Sequence, residues 1–65
     1  MGNDYELLLK YSKVRFEHSS NGYMYITWLK KNVGWHWVVD YKISYNIEMA
    51  RGLYKQLLDN GYEKL

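Results

Sequence analysis

The residues of this chain best suited to acid–base or metal chemistry are two histidines, His18 and His36, and two carboxylates, Glu17 and Asp40. The chain has no cysteine, so a zinc site would need both histidines together with carboxylates. The alternation of the flanking residues puts His18 inward near a turn and His36 outward, which separates them. Glu17 and Asp40 read equally well as members of a solvated face. Ser12, Ser19, Ser20, Ser44 and Thr27 offer hydroxyls, but none has a histidine and an acid at a spacing that would activate it. The glycines at 2, 22, 34, 52 and 61 form neither of the phosphate-cradling patterns. The expectation is a protein that is not an enzyme and holds no cofactor or metal.

What remains is binding chemistry. The chain carries eight Tyr, three Trp and one Phe in 65 residues, too many large rings for the single small core such a length allows. Some must face outward. Residues 10–42 hold Lys10, Lys13, Arg15, Lys30, Lys31 and Lys42 against Glu17 and Asp40, an excess that favours an acidic partner. There is no signal-peptide pattern and no run approaching the roughly 20 apolar residues of a membrane span. The expected location is the cytoplasm.

These groups must be held by elements the pattern also indicates, within one domain covering residues 1–65. Residues 46–61, NIEMARGLYKQLLDNG, read as an amphipathic helix. Ile47, Ala50, Tyr54 and Leu57 make its apolar stripe, widened by Leu53 and Leu58. Asn46 is suited to cap its start and Gly61 to end it, with Tyr62 returning toward Leu57. Residues 14–18, 23–30 and 35–43 alternate as strands. Ser19–Gly22 and Lys31–Gly34 lie where hairpin turns belong, and Asn21-Gly22 suits positive φ. Residues 4–13 fit either a strand or a helix. Their apolar parity is odd and that of Val14 and Phe16 is even, so a bulge or break near Ser12–Lys13 is required. The fold class is α+β: an antiparallel meander of three strands, four if residues 5–11 are a strand, with the C-terminal helix packed on one face.

Parity assigns the faces. Val14, Phe16, Met24, Ile26, Trp28 and the odd residues Trp35, Trp37, Val39, Tyr41 and Ile43 fall under the helix. The outer face then shows Arg15, Glu17, Tyr23, Tyr25, Thr27, His36 and Val38, with Lys13, Lys30, Lys31 and Lys42 joining Arg15 in a basic rim. Tyrosine supplies stiff contact area with a polar tip, which suits docking. The candidate partner-binding residues are therefore Arg15, Tyr23, Tyr25, Thr27, His36, Lys30 and Lys31.

The terminal segment MARGLYKQLLDNGYEKL resembles the ending of short phage and cyanobacterial proteins of uncharacterised function, in its Ala-Arg, its Leu-Tyr and its Gly-aromatic close. That resemblance implies a small accessory protein that binds a larger host protein and inhibits or redirects it, in the host cytoplasm if phage-encoded. It assigns no role to any residue. The expected function is a non-enzymatic binding protein that presents its aromatic sheet face to a protein partner, with a homodimer as a variant. The alternative is a module for single-stranded DNA or RNA that uses the same tyrosines with Lys and Arg.

Overall fold

The computed structural model describes residues 5–19, 21–31 and 36–65. It is α+β: a five-stranded antiparallel sheet covered on one side by one helix. In chain order the elements are β1 (Tyr5–Leu9), β2 (Ser12–His18), β3 (Tyr23–Lys31), β4 (Trp37–Asn46), α1 (Ile47–Asp59) and β5 (Glu63–Lys64). The sheet order is β4-β3-β2-β1-β5.

Residues 5–9 take the strand alternative. The parity change between β1 and β2 has a simple cause. Leu9 pairs with Ser12 across a two-residue turn, Lys10–Tyr11, so the chain reverses and odd and even residues exchange roles. Lys10 sits at φ 52°, the left-handed region that such turns use and that non-glycine residues enter at a cost. At the next reversal Gly22 takes the positive φ (75°), while Ser19 donates its backbone N–H to the Tyr23 carbonyl at 2.9 Å. Asn21 is not in that region, so the pair does not act as a unit. The second expected turn, Lys31–Gly34, and Trp35 lie in part or whole outside the described residues.

The helix ends follow the sequence. The Asn46 side chain accepts the Met49 N–H at 2.9 Å. At the other end Gly61 adopts φ 101°, its N–H reaches the Leu58 carbonyl, and the Tyr62 N–H reaches that of Leu57. These two bonds are the Schellman pair, and they satisfy carbonyls the last turn would otherwise leave open.

The strand count exceeds the expected three or four because the chain adds β5 after the helix. Glu63 and Lys64 pair with Leu8 and Leu7. The helix thus connects one edge of the sheet to the other. Its 13 residues span about 20 Å. Four interstrand steps of about 4.8 Å make roughly the same distance. Beneath it lie Leu7, Val14, Phe16, Met24 and Ile26, closed by Ala50 and Leu57. The core is thus mostly aliphatic, and Trp28 packs only at its margin. Leu58, expected to widen the buried stripe, is exposed.

One irregularity rearranges the faces. Trp28 pairs with Tyr41, but Leu29 pairs with Val39, which leaves Asp40 as an extra residue in β4. A bulge of this kind shifts the side chains beyond it to the opposite face. Tyr41 and Ile43 keep the expected helix side, and Tyr45, opposite Met24, joins them. Trp37 and Val39 do not: they join the outer face, and Val38 moves to the helix side opposite Lys30. The strict alternation in residues 35–43 therefore does not carry through to orientation.

Candidate docking face

The outer face is built from β2, β3 and β4. The register aligns Lys13 with Leu29 and Leu29 with Val39, Arg15 with Thr27 and Thr27 with Lys42, and Glu17 with Tyr25 and Tyr25 with Ser44. Lys31 aligns with Trp37. The Trp37 ring extends back across the sheet, with Lys13 Nζ 4.5 Å and Lys31 Nζ 5.2 Å from its centroid. Lys13 is two strands away from β4, so the indole must lie over β3 to be reached. Leu29, although on the outer side, is accordingly buried. A second pairing of the same kind places Lys42 Nζ 5.8 Å from the Tyr25 ring.

Charge is unevenly placed. On this side β3 and β4 carry Lys31 and Lys42 and no carboxylate among the described residues, because Asp40 turns toward Lys30 (3.7 Å). The acidic groups Glu6, Glu17 and Glu63 sit on β1, β2 and β5. Glu6 holds Arg15 through a 2.9 Å bond from Nε to Oε2. The half of the face farthest from β5 is therefore aromatic and basic.

The sequence-derived candidates divide as follows. Tyr23 and Tyr25 are on this face and exposed, and Lys31 belongs to the Trp37 cluster. Arg15 is on the face but is ion-paired. Thr27 has the expected orientation yet is only 5% exposed, flanked by Arg15 and Lys42, so it offers a partner almost no surface. Lys30 points to the helix side, where it meets Asp40. His36 is exposed but precedes β4, and the bulge removes the parity on which its outward assignment rested. Parity missed Trp37 as a member of this surface, whereas Lys13 and Lys42, expected at the basic rim, stand against the Trp37 and Tyr25 rings. Only the one-residue shift at Asp40 could have revealed Trp37, and it leaves no local signature.

Among the described residues no group of three or more His, Asp or Glu side chains is placed to hold a metal. No described helix is long and apolar enough to cross a membrane. The architecture defines a small open-sheet α+β domain with one face covered and one face bare. Compared with known protein families, with curated proteins and with solved structures, the chain matches none of them.

Proposed function

We propose that this is a small non-enzymatic binding protein that docks an acidic surface of a larger protein partner through the β3–β4 half of its outer face. The supporting observation is Trp37, turned onto that face by the bulge at Asp40 and held between Lys13 and Lys31. A pre-positioned ring loses little entropy on binding, and buried aromatics with neighbouring cations are what interface centres use. Tyr23 and Tyr25 extend the contact area. In the accessory role that the C-terminal resemblance implies, the mechanism is occlusion of a functional surface on a host protein.

The test uses tagged full-length protein and its source cells. Three forms are compared: wild type, an outer-face variant (Tyr25→Ala with Lys31→Glu and Lys42→Glu), and a helix-side control, Lys55→Glu. A partner retained by wild type and control but lost by the outer-face variant, and then reproduced with the purified pair, supports the reading. Identical capture by all three forms sinks it. Aromatic rings interleaved with lysines also suit single-stranded nucleic acid. Binding of single-stranded DNA or RNA whose strength falls steeply with salt, and which the outer-face variant lacks, would replace the protein-docking reading. A wild-type molar mass of a dimer that the outer-face variant converts to monomer would assign the face to a second copy instead.

A further inference from the structure

A cleft of about 390 Å³ opens on the other side of the sheet, between the first two turns of α1 and strands β1 to β3. Its volume is within the range of small-molecule sites, about 300–1,000 Å³. Phe16 and Ala50, both buried, form its floor. Its walls are aromatic: Tyr54 meets Tyr5 at 5.9 Å and Phe16 at 5.5 Å between ring centroids, both edge to face. Around this apolar interior stand His18, Arg51 and Lys64, all exposed, and among the described residues no aspartate or glutamate lines the cleft. Lys64 is held there, with Nζ 5.4 Å from the Tyr5 centroid. Neither Arg51 nor Lys64 is ion-paired to a carboxylate among the described residues.

We propose that this cleft binds a small aromatic carboxylate, with its ring against Tyr5, Tyr54 and Phe16 and its carboxylate toward Arg51 and Lys64. Rings already packed edge to face offer further edges and faces to a flat apolar group. A guanidinium matches the planar carboxylate with two parallel donors. The apolar interior and the two rim cations, Arg51 and Lys64, together call for one anionic head on an apolar body. The site is on the helix side of the sheet, so it goes beyond the docking reading and stands or falls separately.

The probe is phenylpropionate, titrated into the intact protein and followed by amide-shift NMR, with neutral phenylpropanol as the comparison. The expected result is saturable shifts confined to the cleft, with a dissociation constant on the order of 1 mM or tighter. The alcohol and the double variant Arg51→Gln/Lys64→Gln should bind about tenfold more weakly. Both substituted residues are exposed, so the variant should keep its spectrum; the alcohol comparison on wild type stands even if it does not. Absence of saturation, shifts mapping to the outer face, or equal binding of acid and alcohol would each overturn the proposal.

Discussion

Trp37 and Lys13 should be energetically coupled, although they lie on β4 and β2 with β3 between them. The perturbation is a double-mutant cycle of Trp37→Leu and Lys13→Gln. Leucine keeps an apolar cover over Leu29 while removing the ring face, and glutamine keeps most of the lysine stem while removing its charge. With Nζ 4.5 Å from the ring centroid, the lost interaction is worth about 0.5–1 kcal/mol at an exposed site. Lys31, at 5.2 Å, still contacts the ring in the Lys13 variant, so the coupling measures one cation and not the cluster. For a domain of this length 1 kcal/mol corresponds to a shift of about 4–8 °C in melting temperature. The coupling should therefore appear as a non-additivity of a few degrees, or directly in urea titrations followed by far-ultraviolet circular dichroism. Uninterrupted alternation would put the two side chains on opposite faces and give no coupling. Additive single-mutant effects, within about 0.2 kcal/mol, would refute the placement of Trp37 and with it the basis of the docking face.

Other substitutions test the fold locally. Asn46→Ala removes the acceptor for the Met49 N–H and should cost about 1 kcal/mol in denaturant unfolding. Gly61→Ala should cost about 1–2 kcal/mol through its φ of 101°, because the added methyl would meet only Leu9 Cδ1, at an ordinary 3.8 Å. Lys10→Asn should raise the melting temperature, by the equivalent of about 0.5 kcal/mol, since asparagine tolerates the left-handed turn better. Ser12 Oγ and the Tyr62 hydroxyl share a 2.8 Å hydrogen bond, so Tyr62→Phe should cost about 1 kcal/mol and Ser12→Ala should add little to it.

Much of this fold was legible because its signals are local. Asn46 and Gly61 bound the helix for reasons contained within a turn of chain. The parity change near Ser12 demanded a break, and the hairpin at Lys10–Tyr11 supplies it. The bulge at Asp40 was not legible: residues 37–43 alternate without interruption, and the extra residue exists only relative to the partner strand. That single shift turned Trp37 outward and removed Val38 from the outer face. Thr27 was misjudged as a contact for a related reason. Alternation reports the direction of a side chain, and the long neighbours that cover it come from other strands. β5 escaped notice because two residues carry no period.

The path of α1 from one edge of the sheet to the other has a bearing on how the molecule assembles. Strands β1 to β4 join in sequence, each pairing with the one before it, so this part of the sheet grows by short-range closures. The pairing of β1 with β5 is different: Leu8 meets Glu63 across almost the whole chain. That contact carries the largest loop-closure cost and is secured by only two residues of strand. Docking of the helix carries the chain across the sheet to β1 and removes most of that cost in one step. The β1–β5 seam should accordingly form last and open first, and its amides, including the Leu65 N–H bonded to the Glu6 carbonyl, should exchange with solvent ahead of those joining β2 to β3.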